Sequence, residues 1–329
     1  MQCLGRDKVV VFGGSGFLGS HVADCLSDHG YDVTIYDIKP SPYLRENQRM
    51  VIGNILNRKK VMEVLKDAKY AYNFAGIAEI HEASRKPIET IKHNVLGHTI
   101  ILDACVKNSV DRILFASSIY VYGKHGSFYR VSKQACELLC EAYQETYGLD
   151  YTILRYGSLY GPRAQKWNGI FHYLYQAIVK GRIDYPGTGE ERREYIHVFD
   201  AARMSVEVLD EKYRNQYVIL TGNQSYTSKE LLTMIKEMCN GKIEINLLSE
   251  RPKDHYVITP YTFSPKLGVK LISNPSIDMG QGLLQMMEEI YKRYCIMKKE
   301  IKELKNINRR PLKSLVSKNI KQKIRKKSE

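Results

Sequence analysis

Three residues in the first half of the chain form a pattern suited to moving a proton on and off an alcohol. Tyr129 and Lys133 are four residues apart at the start of a predicted helix, so their side chains share one helix face. A lysine ammonium beside a phenol lowers the pKa of the phenol from its usual value of about 10. Ser118, at the end of the preceding predicted strand, supplies a hydroxyl that can hold the same oxygen. The pattern therefore predicts acid–base catalysis at a substrate hydroxyl.

A glycine-rich segment near the N-terminus predicts a dinucleotide site. The apolar run Lys8–Phe12 leads into Gly13, Gly16 and Gly19, where a helical pattern begins. Glycines at this spacing allow a tight turn and a close approach of the backbone to a pyrophosphate, and the helix N-terminus offers free N–H groups to the phosphates. Asp37 follows the next predicted strand, where a carboxylate accepts hydrogen bonds from an adenosine ribose and repels a 2′-phosphate. The segment therefore favours NAD over NADP.

The elements that carry these residues alternate between strands and helices. Strands are predicted at 8–12, 32–36, 50–52, 70–74, 112–116 and 151–155, and helices at 19–30, 58–66, 89–107 and 132–146. The strands are almost continuously apolar, which is typical of a parallel sheet covered by helices on both faces. The sequence therefore predicts an α/β fold built on a doubly wound parallel sheet of the Rossmann type.

The alternation weakens after residue 161. A helix is predicted near 170–179, strands that return to the sheet at 196–198 and 217–220, a strand near 243–247 and a last amphipathic helix near 279–294. We therefore predict a Rossmann domain over 1–161 and 190–222, a smaller α/β substrate-binding cap over 162–189 and 223–291, and a basic helical or disordered tail over 292–329.

The positive charge of the chain is concentrated at its C-terminus. The 329 residues carry a net charge of +14, but residues 292–329 hold 15 Lys and Arg against 3 Asp and Glu. The rest of the chain is nearly neutral, so we expect no nucleic-acid partner. Such a tail suits weak contact with an anionic membrane surface. The alternative hypothesis is a tail that is simply solvated and has no binding role.

Composition and cysteine spacing exclude several other classes of protein. Hydrophobic residues make up 43% and charged residues 26%, as in globular chains. No apolar run reaches the roughly 18–20 residues of a membrane span, and we expect no secretion signal. The seven cysteines are scattered without metal-ligand spacing. We therefore predict no metal site and a reducing, cytoplasmic location.

Taken in order, the motifs resemble those of the extended short-chain dehydrogenase/reductase family, in its nucleotide-sugar branch. The resemblance covers about residues 8–290. Beyond the motifs already described it includes Asn73–Gly76, Leu159–Arg163, Arg193–Asp200 and Arg251–Asp254. It implies a tightly bound NAD, a serine and a tyrosine at the C4 hydroxyl of a nucleotide-diphosphate sugar, and a lysine on the nicotinamide ribose.

The same resemblance implies the remaining contacts of the site. The residues that it implies for NAD binding are Gly13, Ser15, Gly16, Phe17, Leu18, Gly19, Asp37, Ile38, Asn54, Ile55, Phe74, Ala75, Gly76, Asn94, Ser117, Tyr129, Lys133 and Tyr156. Those that it implies for substrate binding are His81, Ser118, Ser158, Arg193 and Arg251. The two arginines suit the diphosphate because a guanidinium presents a planar fork to phosphate oxygens. His81 stands in a predicted loop at the ligand side of the sheet.

Four departures from the family's pattern bear on the reaction. Ile119 and Tyr120 stand where the family's 4,6-dehydratases carry two acids, and Tyr120 also replaces the glutamate of its decarboxylases. With no acid to protonate a leaving C6 hydroxyl, dehydration is disfavoured. Only ten residues, 119–128, separate the serine from the tyrosine, which implies a more open pocket or a larger sugar such as a heptose. Ser158 and Asn54 replace an asparagine at the substrate phosphates and an acid near the adenine.

The leading hypothesis is an NAD-dependent oxidoreductase that acts on C4 of a nucleotide-diphosphate sugar, such as a GDP- or UDP-linked hexose or heptose, in surface polysaccharide or nucleotide-sugar biosynthesis. A 4-epimerase returns the hydride and a 4-dehydrogenase releases the ketose, and the sequence does not separate the two. The alternatives are a sugar-nucleotide 4-reductase and a catalytically silent dinucleotide-binding protein. We also expect a homodimer or homotetramer that pairs through the helices at 89–107 and 132–146.

Overall fold

The computed structural model describes residues 6–248, 255–261 and 268–308, with side chains up to residue 299. Its strands are β1 (Lys8–Phe12), β2 (Asp32–Asp37), β3 (Gln48–Ile52), β4 (Tyr70–Asn73), β5 (Arg112–Ser118), β6 (Asp150–Tyr156), β7 (Ser158–Tyr160), β8 (Arg182–Pro186), β9 (Arg192–His197), β10 (Gln216–Leu220), β11 (Ser225–Thr227), β12 (Glu244–Leu248) and β13 (Val269–Leu271). Its α-helices are α1 (Phe17–Asp28), α2 (Arg58–Val64), α3 (Ile80–Arg85), α4 (Pro87–Thr90), α5 (Gly97–Lys107), α6 (Ser127–Tyr147), α7 (Gly169–Lys180), α8 (Val198–Glu207), α9 (Ser228–Met238) and α10 (Met279–Asn308).

Eight strands form one sheet in the order β13-β10-β6-β5-β4-β1-β2-β3, and every neighbouring pair is parallel. The doubly wound fold is therefore confirmed, and the six strands predicted in the first half all occur with small changes at their ends. Strand β1 shows why the sequences of such strands are continuously apolar. Val9 and Val11 pack into the core on one face of the sheet, whereas Val10 and Phe12 pack into the core on the other.

The single helix predicted over 89–107 is divided into three parts. Between α4 and α5 the residues Ile91–Leu96 form a π-helical turn, which contains the buried Asn94. Single π-helical turns inside α-helices are rare, and they occur frequently at functional sites. The side chain of Asn94 makes hydrogen bonds to Ile77 and Ser132 from this turn.

The second part of the chain forms two small sheets, β11-β9-β7 and β12-β8. The prediction that residues 196–198 return to the main sheet was wrong, because they belong to β9 and α8 instead. The free edge of β6 is taken by β10, so β9 pairs with β7 and β11. Leu174 of α7 and Ile235 of α9 belong to the same buried cluster as Val9. The proposed division into a Rossmann domain and a cap stays a prediction.

The last helix, α10, joins the core to the basic tail. Leu283, Met286 and Ile290 are buried, and the helix continues to Asn308, well into the predicted tail. The remaining tail residues, 309–329, lie outside the described residues. Across the described ranges, every helix is too short or too polar to cross a bilayer.

Candidate active site

The glycine turn brings three elements into close contact below the carboxyl ends of the strands. Gly13 directly follows β1 and has a φ of 76°, and a Cβ added there would lie 2.6 Å from the backbone nitrogen of Ala75. Any other residue would push β1 and β4 apart, because backbone cannot yield to such a contact. The turn ends at Phe17, where α1 begins. The N-terminus of α1 thus faces the space in which a pyrophosphate would bind.

Asp37 stands at the end of β2, beside this turn. Its carboxylate accepts hydrogen bonds from the backbone N–H of Ser15, at 3.0 Å, and from that of Lys39, at 3.3 Å. These bonds fix the carboxylate next to the glycine turn, as a ribose diol requires. Ile38 is 62% exposed beside it, and Asn54 holds its own loop by accepting from the N–H of Leu56. The residues present therefore fit an adenosine ribose in this position.

Asn94 ties the loop after β4 to helix α6. Its side-chain oxygen accepts from the N–H of Ile77 at 2.7 Å, and its amide nitrogen donates to the Ile77 carbonyl at 3.0 Å and to the Ser132 hydroxyl at 2.9 Å. Ser132 in turn donates to the carbonyl oxygen of Tyr129. The amide of Asn94 is thus occupied within the protein, and it positions the loop and the helix that carry other predicted cofactor contacts.

Ser118, Tyr129 and Lys133 come together where β5 ends and α6 begins. Ser118 is buried and hydrogen-bonded to the phenol of Tyr129. The ammonium of Lys133 lies 5.7 Å from the centre of the Tyr129 ring and donates to the carbonyl oxygen of Ala116 at 2.7 Å. A serine hydroxyl, a phenol and an ammonium are therefore clustered as the sequence pattern predicted. This arrangement can hold an alcohol oxygen and exchange its proton.

The expected lowering of the Tyr129 pKa is not found. Burial raises the pKa of this phenol to about 12, and the hydrogen bond from Ser118 offsets only part of that effect. Burial also lowers the pKa of Lys133 to about 8, against the opposing influence of Cys136 and Glu137. The physical reason is desolvation, which disfavours both the phenolate and the ammonium more strongly than these groups stabilise each other.

Two residues predicted at the cofactor turn their hydroxyls into the protein. Ser117 donates to a carboxylate oxygen of the buried Glu137 at 2.5 Å. The phenol of Tyr156 lies 2.6 Å from the Ser205 hydroxyl in α8. Phe74 packs its ring between those of Tyr72 and Tyr156. The hydroxyls of Ser117 and Tyr156 therefore have hydrogen-bond partners within the protein.

Two of the predicted substrate-binding residues, Arg193 and Ser158, lie next to the same tyrosine, Tyr256. Arg193 of β9 stacks on the ring of Tyr256 at 4.6 Å and shares hydrogen bonds with the phenols of Tyr256 and Tyr120. The hydroxyls of Tyr256 and Ser158 are 3.3 Å apart. Since the rings of Tyr120 and Tyr129 are 6.2 Å apart, the structure brings Arg193 into the neighbourhood of the catalytic set. Arg251 lies outside the described residues.

His81 does not stand in a loop, as the sequence suggested, but in helix α3. Glu79 caps this helix by accepting hydrogen bonds from the N–H groups of His81 and Glu82. The sequence did not predict this helix because its six residues, Ile80–Arg85, are too few to show a helical pattern of apolar residues. The exposed ring of His81 packs at 5.5 Å against that of His255.

His255 and Tyr256 are the main site residues that sequence reasoning missed. They directly follow the motif Arg251–Asp254 in the sequence. This position next to a predicted substrate-binding motif is the one signal that could have identified them. A cluster of three His, Cys, Asp or Glu side chains suited to a metal ion does not occur in the part of the chain that the structure describes.

The fold and this arrangement define the class of the protein, an extended short-chain dehydrogenase/reductase. Residues 9–219 match the model of the NAD dependent epimerase/dehydratase family. The match spans well over half of the chain, so the protein belongs to this family and its cofactor is NAD.

Individual relatives are more distant. The chain is 27% identical to the UDP-N-acetyl-alpha-D-glucosaminuronate decarboxylase of Bacillus cytotoxicus over 73% of this chain and 83% of the relative. Among solved structures, the UDP-N-acetylglucosamine 4-epimerase of Methanobrevibacter ruminantium is 25% identical, with a TM-score of 0.76 over 88% of this chain and all of that one. The UDP-glucose 4-epimerase of Thermotoga maritima, at 24% identity, has a TM-score of 0.77 over 87% of this chain and 99% of its own.

Proposed function

We propose that the protein oxidises the C4 hydroxyl of a nucleotide-diphosphate sugar with bound NAD, and acts as a 4-epimerase or a 4-dehydrogenase. The observation that carries this proposal is the cluster of Ser118, Tyr129 and Lys133. The ring of Tyr129 contacts that of Tyr120, which is a hydrogen-bond partner of Arg193. We expect an alcohol oxygen held by this cluster to lie close to the bound NAD, and the guanidinium of Arg193 suits the diphosphate of the same substrate.

In the proposed reaction Tyr129 exchanges the proton of the C4 hydroxyl. Ser118 holds the same oxygen through its hydroxyl, which orients the C4–H bond. Lys133 provides a nearby positive charge that stabilises the phenolate form of Tyr129 while the proton is in transit. Bound NAD supplies the acceptor for the hydride that leaves C4. The intact set argues against a protein that has lost its chemistry.

The residues after Ser118 favour oxidation and reduction at C4 over a subsequent dehydration or decarboxylation of the sugar. Ile119 is buried and apolar, so it offers no acid for a leaving C6 hydroxyl. The phenol of Tyr120 is bonded to His255 and Arg193, and burial raises its pKa far above the usual value. A phenol held in this way does not replace the carboxylates that the resemblance assigns to dehydratases and decarboxylases.

The names of the relatives support UDP as the first nucleotide to test. The decarboxylase of Bacillus cytotoxicus and both solved epimerases are named for UDP-sugars. GDP-linked sugars and heptoses stay within the proposal. We expect the second part of the chain to bind the base, and none of the motifs described there distinguishes one base from another. A cytoplasmic homo-oligomer is part of the same proposal.

The deciding experiment is product NMR with a panel of UDP-, GDP-, CDP- and dTDP-sugars and no added cofactor. Conversion of one sugar to its C4 epimer by substoichiometric enzyme identifies an epimerase and its nucleotide. A 4-keto sugar that forms only with added NAD identifies a 4-dehydrogenase. A 6-deoxy or decarboxylated product would contradict the proposal, and Tyr129→Phe serves as the inactive control.

A further inference from the structure

Tyr120 lies at the meeting point of the catalytic turn and the substrate side. It belongs to the 3₁₀ turn Ile119–Tyr122, which directly follows Ser118. Its phenol oxygen is 2.7 Å from Nδ1 of His255, and its ring lies 4.7 Å from that of Tyr256. The same phenol accepts a hydrogen bond from Arg193. One side chain thus links its own turn to two other segments, strand β9 and residues 255–261.

Arg193 is held from several directions by these phenols. Its guanidinium stacks on the Tyr256 ring and is hydrogen-bonded to the hydroxyls of Tyr256 and Tyr120. Tyr256 is only 3% exposed, so the surface on which Arg193 rests is part of the packed interior. An arginine fixed by stacking and hydrogen bonds loses little freedom when it binds an anion.

The segment 255–261, which carries His255 and Tyr256, runs beside β9. The N–H of Arg192 donates to the carbonyl oxygen of Val257 at 2.7 Å, and the N–H of Glu194 donates to the Thr259 hydroxyl at 3.2 Å. These bonds flank Arg193 on both sides in the sequence. They attach the segment to the strand, whereas the contact between His255 and Tyr120 attaches it to the catalytic turn.

The shortened loop before α6 leaves room for the Tyr120 ring. Gly126 has φ of 97°, and a Cβ there would lie 2.7 Å from Cδ1 of Tyr120. The loop and the tyrosine are therefore matched to each other. Two departures from the family's pattern, the short loop and the tyrosine in place of an acid, combine in one packing arrangement.

We propose that Tyr120 and His255 form a positioning pair that holds Arg193 and the segment 255–261 against the turn of Ser118. The pair sets the distance between the diphosphate of the substrate and its reacting carbon. Tyr120 and His255 act through Arg193 and take no part in proton transfer. This inference rests on the proposed function, because it assumes that Arg193 binds a diphosphate.

The test compares Tyr120→Phe, which keeps the ring and removes the hydroxyl, with Tyr261→Phe. Tyr261 is a matched control, since it lies on the same segment and its hydroxyl donates to Glu194 of β9. NAD-loaded enzyme is titrated with UDP, GDP, CDP and dTDP by calorimetry, and turnover is measured with the sugar of the nucleotide that binds. Tyr120→Phe is expected to raise Kd and KM about tenfold, as for a lost hydrogen bond to a charged group, with kcat and NAD content nearly unchanged.

A second pair of variants examines His255. The side-chain amide of asparagine places either its oxygen or its nitrogen close to the position of Nδ1, so it can accept from the Tyr120 hydroxyl or donate to it. His255→Asn is therefore expected to keep most of the affinity that His255→Ala loses. An unchanged Kd in Tyr120→Phe, or a large fall in kcat at unchanged Kd, would overturn the positioning role. If the wild type binds none of the four diphosphates, the proposed function itself fails, whereas wild-type binding that Tyr120→Phe leaves intact rejects only the positioning pair.

Discussion

The ammonium of Lys133 is hydrogen-bonded to the carbonyl oxygen of Ala116, at 2.7 Å, inside the protein. This bond joins helix α6 to strand β5 two residues before Ser118. It also takes a charged group out of water, and burial lowers the pKa of Lys133 to about 8. The group that supports the phenol of Tyr129 is thus also a source of instability in the fold.

That instability has a definite dependence on pH. The unfolded chain keeps the lysine proton up to the ordinary lysine pKa of 10.5, whereas the folded protein loses it at about 8. Between these values the unfolded state binds more protons, so the Lys133 contribution raises the free energy of unfolding as pH rises. Relative to Lys133→Met, the NAD-free wild type should gain about 3 kcal/mol from pH 8 to 10.5. Urea unfolding of both proteins across this range measures the gain, and parallel curves would contradict it.

Removing the hydroxyl group of Tyr129 should strongly reduce the catalytic rate and leave the stability of the fold unchanged. Tyr129→Phe is expected to lower kcat about 10²- to 10⁴-fold, because a positioned proton carrier contributes that much. Bound NAD and the unfolding temperature should stay near the wild-type values. Tyr143→Phe, on the same helix, is the matched control. Comparable activity in the two variants would remove Tyr129 from the catalytic set.

The carboxylate of Asp37 should set the choice between the two dinucleotides. Asp37→Asn keeps an oxygen acceptor for the Ser15 N–H but removes the negative charge that repels a 2′-phosphate. The ratio of NADP Kd to NAD Kd is expected to fall about tenfold or more, given the strength of hydrogen bonds to charged groups. Asp32→Asn, at the other end of β2, should leave the ratio unchanged. If both substitutions lower the ratio equally, the effect comes from the loss of any negative charge on the protein, and the specific role of Asp37 is rejected.

Exposed apolar side chains on neighbouring helices point to the surface through which copies of the chain should pair. Ile88 of α4 is 79% exposed and Leu138 of α6 is 62% exposed, although α4 and α6 pack together. Leu138→Glu is expected to convert the oligomer to a monomer, because pairing would bury the new charge. Leu284→Glu, on α10 with 49% exposure, is the control. Analytical ultracentrifugation distinguishes the masses, and a monomeric wild type would rule out the expected oligomer.

The sequence was informative wherever a residue pattern and a local element coincide. Strand β1 has the predicted bounds, because a buried β-branched run that ends in glycines leaves few alternatives. Tyr129 and Lys133 were predictable as a pair from helix geometry alone, and Ser118 from its place at a strand end. The same reasoning predicted the parallel sheet.

What the sequence could not provide depends on contacts between distant segments. The stacking of Arg193 on Tyr256 joins residues 63 positions apart, and no local period records it. The pKa of Tyr129 depends on how deeply the fold buries it, so the adjacent lysine gave the wrong direction. Residues 196–198 were misassigned because their own strand pattern cannot show that β10 already occupies the edge of the sheet.

The order of the main sheet bears on how the chain folds as it is synthesised. Starting from β1, every later strand of this sheet adds to an edge that is free at that moment, with β2 and β3 on one side and β4, β5, β6, β10 and β13 on the other. No strand has to be inserted between two that are already paired. The nascent chain can therefore build its sheet outward from the N-terminus without undoing earlier hydrogen bonds. The residues of the dinucleotide turn and Tyr129 are synthesised before the segment with His255 and Tyr256, so their strands can pair before that segment is available.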